Sequence, residues 1–328
     1  MKAAYIERFG SPDTICFGSL PKPKPTGSQV LVRVKAVSVN PVDTYIRAGK
    51  LAVGTPMPLI VGCDLAGVVE AVGPEATRFA KGDRVWGSNQ GISGRQGTFA
   101  EFAAVDQQWL YPTPENVSDQ EAAAVAMVGL TSHLGLFREA QLKAGENVFV
   151  HGGSGGIGSC VVQMAKAVGA RVLTTAGSDE KVKICRRLGA TMVVNYKTQD
   201  VDVAIEKFGP IHVWFENLRE HDFERVLRHL ALRGRIVVMA GRESHPVFPM
   251  GLFYWKDAQL LGYALLNASA EEQRKSAAEI NRWMSKGKLR PRIDRVLPLS
   301  EAAAAHQLQE ENTLGKAGTL AGKIVLVP

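Results

Sequence analysis

A glycine-rich run near the middle of the chain carries the clearest chemistry: Val148-Phe149-Val150-His151-Gly152-Gly153-Ser154-Gly155-Gly156-Ile157-Gly158, followed by Gln163 and Lys166. Gly153, Gly155 and Gly158 fit the G-x-G-x-x-G spacing. In that pattern absent side chains let the backbone turn tightly, approach a pyrophosphate and pack a helix against a strand. The context agrees: a β-prone apolar run enters the turn and an apolar-periodic segment, Cys160 to Val168, leaves it. The spacing alone would describe only a tight βα turn. With a strand before it, a helix after it and a second strand at Arg171 to Thr175, it predicts a dinucleotide site. Ser154, Gly155, Gly156, Ile157 and Gly158 would then present backbone N–H groups at the helix start to the diphosphate.

The end of that second strand bears on which dinucleotide. An Asp or Glu there holds the ribose 2′-hydroxyl of NAD and repels a 2′-phosphate. Here the strand runs into Ala176-Gly177-Ser178-Asp179-Glu180-Lys181, with Ala176 or Gly177 where the acid would stand. Gly177 leaves room for a phosphate, Ser178 supplies a hydroxyl and Lys181 a positive charge, so NADP(H) is the expected cofactor. Asp179 is the discordant neighbour, since a carboxylate turned inward would favour NAD. Asp179 and Lys181 also read as ordinary first-turn helix residues.

These residues need elements to position them, and the 328-residue chain, 45% hydrophobic, is long enough for two domains. The segment to about residue 100 is β-rich. Val30 to Val37 alternates, and Gly67 to Gly73 and Arg84 to Trp86 are bounded by glycine or aspartate turns. Pro21 to Pro25 is an extended connector. From about Ser118 the texture changes to alternating helix and strand. Ser118 with Glu121 makes a capping-box pattern before a helix over Ala122 to Leu136. Strands are expected at Asn147 to His151, Val172 to Thr175, Met192 to Asn195, His212 to Glu216 and Arg235 to Ala240. Recurring βα units imply a parallel, doubly wound sheet. Strand-like Arg292 to Leu297 and Lys323 to Val327 follow this unit and are expected to return to the first domain. The expectation is a discontinuous catalytic domain, 1–120 plus 265–328, around a cofactor domain, 121–264, with the active site in the cleft between them.

Composition narrows the class further. No apolar stretch approaches the length of a membrane span, and Met1 to Tyr5 reads as a first strand rather than a signal peptide, so a cytoplasmic protein is expected. Cys16, Cys63, Cys160 and Cys185 are widely spaced and form no C-x-x-C pair, which reads as buried or idle thiols. The formal charge of +7 is scattered, as in Lys181, Lys183, Arg186 and Arg187, and reads first as solvated helix faces.

Together, the glycine turn, Asn40-Pro41-Val42-Asp43-Thr44-Tyr45-Ile46-Arg47-Ala48-Gly49, Gly62-Cys63-Asp64-Leu65-Ala66-Gly67 and Lys81-Gly82-Asp83-Arg84-Val85 resemble the medium-chain dehydrogenase/reductase superfamily. Within it the chain is similar to the zinc-independent quinone oxidoreductase and zeta-crystallin branch over essentially its whole length. The one departure in the quinone-reductase signature from Gly145 to Lys166 is Phe149, where leucine is usual. The resemblance implies an α/β fold: a Rossmann cofactor domain with a doubly wound parallel sheet, plus a β-rich GroES-like catalytic domain. In the zinc enzymes of the superfamily a cysteine and a His-Glu pair hold the catalytic metal. By the resemblance Asn40 stands at the cysteine position and Cys63-Asp64 at the His-Glu pair, and the four-cysteine structural lobe is missing, so no metal site is expected.

What the resemblance then implies is hydride transfer from NADPH to a quinone-like acceptor. Asn40 and Tyr45 are the candidate catalytic residues. An amide can donate to a developing oxyanion, and a phenol can bond to the cofactor or relay a proton. Asn-Pro is also a common turn, and Tyr45 could be a packing aromatic. The family's cofactor contacts carry over to Tyr196 beside the 2′-phosphate, Thr131 and Asn217, Gly241 and Arg242 after the fifth strand of the cofactor domain, and Tyr263, Ala264 and Leu265 near the nicotinamide amide. Phe253, Tyr254 and Trp255 could line an acceptor pocket or a subunit contact. A homodimer is expected, paired through an edge lying in Arg235 to Gly251. The rival activity is an NADPH-dependent enone or alkenal reductase. Some relatives serve as lens crystallins or bind AU-rich RNA, but no RNA-binding motif appears here, and the aromatics, 7% of residues, are not interleaved with basic runs.

Overall fold

The structure is a computed structural model and describes residues 1–51, 54 and 56–328. Its chain divides into two compact units: Met1–Met127, Ser269–Ser285 and Arg290–Pro328 form the first, and Val128–Ala268 with Lys286–Leu289 the second.

In the first unit, β1 (Lys2–Ile6) pairs antiparallel with β2 (Cys16–Ser19) and β4 (Leu59–Ile60). The larger sheet is built on β3 (Gln29–Ser38), in which Arg33 and Lys35 reach water while Val32 and Val34 are buried, the period-two pattern of a half-solvated strand. β3 pairs antiparallel with β5 (Leu65–Val72) and β7 (Phe102–Asp106), and β6 (Arg84–Gly87) joins β5 to β8 (Leu110–Pro112). The late strands return here: β16 (Lys323–Val327) lies antiparallel against the end of β3, with β15 (Ile293–Pro298) parallel beyond it.

Helix α1 (Pro41–Arg47) starts where β3 ends, because Asn40 is extended, Pro41 fixes the first helical φ and the Asp43 carboxylate accepts from the Asn40 N–H at 2.7 Å. Arg47, in its last turn, is buried and ion-paired with Glu310 of α9 (Ala302–Thr313). Helix α8 (Ala270–Ser285) buries Gln273, Ser276, Ala277, Ile280 and Met284 at helical spacing.

Helix α2 (Asp119–His133) begins at the expected capping box: Ser118 N donates to Glu121 Oε2 at 3.0 Å and Glu121 N to Ser118 Oγ at 3.2 Å. The helix does not continue regularly to Leu136 as expected. It widens into a π-helical turn over Leu134–Glu139.

The second unit is a six-stranded parallel sheet made of β9 (Asn147–Val150), β10 (Arg171–Ala176), β11 (Met192–Asn195), β12 (Ile211–Glu216), β13 (Leu230–Val238) and β14 (Gln259–Gly262), in the order β11-β10-β9-β12-β13-β14. The strand order reverses between β9 and β12, and in such sheets the crevice at that switch point is where ligands bind. The connecting helices are α3 (Gly156–Ala167), α4 (Asp179–Leu188), α5 (Val201–Phe208), α6 (Phe223–His229) and α7 (Met250–Trp255). The central strands read as continuous apolar runs because helices cover both faces. Phe149 stacks on Trp214 with ring centroids 4.1 Å apart, at the centre of a cluster with Leu173, Ile205, Leu227 and Ile236.

One expectation is corrected. Arg235 to Gly251 does not hold the sheet's free edge, because β13 is paired on both sides and the chain after α7 adds β14 beyond it. Among the described residues, no helix is long and apolar enough to cross a membrane. Cys63, Cys160 and Cys185 are buried and Cys16 is exposed, all as free thiols.

Candidate active site

The glycine turn sits at the carboxyl end of β9, at the switch point. Gly152 N donates to Thr175 Oγ1 at 3.0 Å and Gly153 N to Thr175 O at 3.1 Å, which pins the turn to the neighbouring strand. Gly155 is the N-cap of α3, and the first amide to find an i−4 carbonyl is Ser159, at 2.9 Å from Gly155 O. The amides of Gly156, Ile157 and Gly158 precede it and have no carbonyl within the helix to bond, so they suit an anion. Gly158 is required sterically: a Cβ there would lie 2.2 Å from Gly152 O. Ser154 is buried within the turn.

At the end of β10 the structure brings together the residues expected around a 2′-phosphate. A Cβ on Gly177 would lie 2.6 Å from the Tyr196 hydroxyl, so the half-exposed phenol stands directly over this glycine. Ser178 is the N-cap of α4 and its Oγ accepts from Lys181 N at 3.3 Å, leaving the hydroxyl hydrogen free to donate outward. The discordant Asp179 is accounted for, since its Oδ1 accepts from Asn195 Nδ2 at 2.9 Å.

The remaining cofactor candidates fall at or beside the carboxyl ends of β12, β13 and β14. Asn217 Nδ2 donates to His151 O at 3.1 Å, while its Oδ1 is buried with no protein partner. A buried acceptor left open is costly. Tyr263 N bonds Val238 O at 3.2 Å and its hydroxyl donates to Thr131 O at 2.5 Å, which joins two of the expected residues. Burial holds that phenol well above its ordinary pKa. Arg242 is exposed after Gly241, Ala264 is exposed, and Leu265 is buried at the start of a short 3₁₀ turn. Of the aromatic trio, Phe253 packs on Phe248 at 5.1 Å, whereas Tyr254 and Trp255 are exposed.

Asn40 and Tyr45 lie in the first unit, and the geometry gives them different characters. Tyr45 is half-buried on α1. Asn40 is fully buried, and its carboxamide is engaged on both ends: Nδ2 donates to Asp64 Oδ2 at 2.7 Å, and Oδ1 accepts from Lys323 Nζ. Nδ2 also lies 3.4 Å from Ser38 O, so the amide expected to face an acceptor oxyanion has protein acceptors within reach. Asp64 is the hub of this cluster, accepting also from Ser38 Oγ at 2.8 Å and Ser88 Oγ at 2.6 Å. Burial raises its carboxyl, opposed by the Lys323 charge and these donors. Asp43 is pushed up to about 7, first by burial and then by the charge of Asp64. The Cys63 thiol beside it is raised well above the ordinary range by burial and the two carboxylates, which disfavours the thiolate. Among the described residues no three His, Cys, Asp or Glu side chains are grouped to hold a metal.

Sequence reasoning missed Lys323, Ser88 and the titratable groups at the ends of β9 and β12. His151, closing β9, is held neutral to about 4 by burial and the Arg225 charge. Glu216 accepts from Trp214 Nε1 at 3.1 Å and from Leu218 N at 3.0 Å, with His221 Nδ1 3.8 Å away. Only Lys323 carried a usable signal, as a lysine opening the otherwise apolar strand Lys323-Ile324-Val325-Leu326-Val327.

Comparison with known proteins places these features. A model described as an alcohol dehydrogenase GroES-like domain matches residues 26–115, and one described as a zinc-binding dehydrogenase matches residues 156–282. The chain is 35% identical to the quinone oxidoreductase of Homo sapiens, over 100% of this chain and 98% of that protein. Among solved structures, an NAD-dependent alcohol dehydrogenase superposes with a TM-score of 0.88 at 30% identity, covering all of both chains. A mycobacterial protein complexed with NADPH superposes with a TM-score of 0.87 at 27% identity, also over all of both chains.

Proposed function

We propose, for a chain that belongs to the quinone oxidoreductase family of the medium-chain dehydrogenase/reductase superfamily, the activity of a zinc-independent NADPH:quinone oxidoreductase. The observation that carries the zinc-independent reading is Asp64 with its three side-chain donors, Ser38, Asn40 and Ser88. At the Asn40 and Cys63-Asp64 positions the chain uses a carboxamide, a thiol of raised pKa and a carboxylate bound to its neighbours. None is offered to a Lewis acid. A suitable acceptor therefore stabilises the incoming charge itself, as a quinone does by delocalising it onto oxygen.

When bound, NADPH supplies the hydride from its nicotinamide. This chain's residues would hold it as follows. The Gly156, Ile157 and Gly158 amides face the diphosphate. Gly177, Ser178, Lys181 and Tyr196 receive the 2′-phosphate, with Asp179 engaged by Asn195. Asn217 Oδ1 accepts from a ribose hydroxyl. Thr131, Gly241, Arg242 and Tyr263 to Leu265 border the nicotinamide end. Tyr45 contacts the acceptor or relays its proton, and Asn40 secures the start of the helix that carries Tyr45.

The compact units support a discontinuous catalytic domain around a cofactor domain, with the return at Ser269 rather than residue 265. A homodimer forms part of the proposal, now through the edge strand β14, whose Leu260 is exposed, as are Met250, Tyr254 and Trp255 of the preceding helix. A light-scattering mass of one chain would refute it. The four free thiols fit a reducing, cytoplasmic setting.

The deciding assay follows NADPH oxidation with 9,10-phenanthrenequinone beside a short alkenal, and repeats the better reaction with NADH. Quinone turnover with a lower KM for NADPH than for NADH is expected. Turnover of the alkenal alone would move the assignment to an enone reductase, and a clear preference for NADH would overturn the NADP reading.

A further inference from the structure

The buried cluster in the first unit contains a cation that the proposed chemistry has not used. Lys323 opens β16 and is only 4% exposed. Its Nζ donates to Val39 O at 2.6 Å and to Asn40 Oδ1. An ammonium can only donate, so the side of the Asn40 carboxamide facing it must be the oxygen. The amide nitrogen is then turned to Asp64 Oδ2, at 2.7 Å, where a carboxylate can only accept. Lysine and aspartate thus grip opposite ends of one carboxamide and fix its plane. At the same helix start the Asp43 carboxylate accepts from the Asn40 N–H at 2.7 Å.

We propose that Lys323 is a positioning residue of the hydride-transfer site. By holding Asn40 and the Val39 carbonyl, it sets where α1 begins and so where the Tyr45 phenol stands. A neutral apolar residue in its place would leave Asn40 Oδ1 and Val39 O buried without this donor and free the carboxamide to turn over. Buried against Val39 O and Asn40 Oδ1, Lys323 acts through the placement of Asn40. The inference rests on the quinone-reductase reading, since it concerns the placement of Tyr45 for that reaction.

The test is a double-mutant cycle between K323M and N40A, read as kcat and KM with NADPH and 9,10-phenanthrenequinone, with thermal unfolding measured on each protein. K323M is expected to lower kcat about tenfold while KM for NADPH stays within about twofold, and to have no further effect on kcat in the N40A background. Losses that multiply in the double variant, or a K323M that lowers only the unfolding temperature, would overturn the proposal. If K323M does not fold, the cycle is run with K323Q, which is one atom too short to bridge both acceptors. A loss of kcat that vanishes in the N40A background supports the proposal, and one that persists, or a K323Q equal to wild type, overturns it. Wild-type protein that turns over no quinone would instead sink the quinone-reductase reading, and is distinguished by that control.

Discussion

The polar groups around Asp64 are fully buried and those around the glycine turn only partly so, and the two regions are finished in opposite ways. Ser38, Asn40, Asp64, Ser88 and Lys323 all meet protein partners at hydrogen-bond distance. The glycine turn leaves the first-turn amides of α3 beyond reach of helical carbonyls and leaves Asn217 Oδ1 buried without a partner. Since buried polar groups are paired as a rule, the five groups around Asp64 need no ligand, whereas Asn217 Oδ1 has an acceptor to spare; Asp43 Oδ1, at the margin of the first cluster, is likewise without a partner among the described residues. On the proposed function, the first region holds and the second receives. This also separates Asn40 from Tyr45, which the sequence presented as equals.

The strongest way to break the comparison is to close the receiving region. G158V places side-chain atoms against Gly152 O, where even a Cβ would come to 2.2 Å. A loss of about a hundredfold or more in kcat/KM for NADPH is expected, the equivalent of roughly 3 kcal/mol of overpacking. Fluorescence titration with NADPH should show the loss in binding. A variant that binds NADPH normally would mean that the turn is not the receiving surface.

Y45F asks whether the holding cluster serves a reacting group. If the phenol acts on the acceptor, kcat falls roughly tenfold to a hundredfold, at the lower end of general acid catalysis, with KM for NADPH little changed. An unchanged kcat would make Tyr45 a packing aromatic and leave the cluster as scaffold alone. A smaller effect tests the phosphate end. K181M should raise KM for NADPH about tenfold, the worth of one charge-assisted hydrogen bond, and leave KM for NADH alone. Equal changes for both cofactors would remove Lys181 from the 2′-phosphate.

The least effect is on stability against pH, where the two regions are expected to respond in opposite senses. Folding raises the Asp43 carboxyl from 3.8 to about 7, so the folded state holds this proton more tightly than the unfolded chain. Its contribution is full below pH 3.8 and is lost as the pH rises through 7. His151 is lowered from 6.5 to about 4, so its contribution is present above pH 6.5 and is lost as the pH falls through 4. Thermal unfolding of D43N between pH 4 and 7 should lack the first decline, which for one proton is at most about 1.4 kcal/mol per pH unit, and keep the second. An identical pH slope in D43N and wild type would show that Asp43 does not titrate in the fold.

Much of the second unit is legible in the sequence. Its strands are contiguous apolar runs and its turn is local, so Gly153 to Gly158 and the strand end before Ser178 could be read from spacing, as could the Ser118–Glu121 capping box at the end of the first unit. The π-helical turn at Leu134–Glu139 and the extra edge strand at Gln259–Gly262 were not read. Both depend on how a segment packs rather than on its own periodicity.

By itself the sequence determined the βα rhythm, the glycine turn and the absence of an acid at Ala176 and Gly177, because each is settled by residues within a few positions of one another. Only the tertiary structure decided that Lys323 would meet Asn40, 283 residues earlier, and that Asp64 would gather Ser38 and Ser88. The pairing of β16 with the end of β3 brings these groups out of water together. Once buried there, each must find its partner in the others, and no local pattern records that requirement.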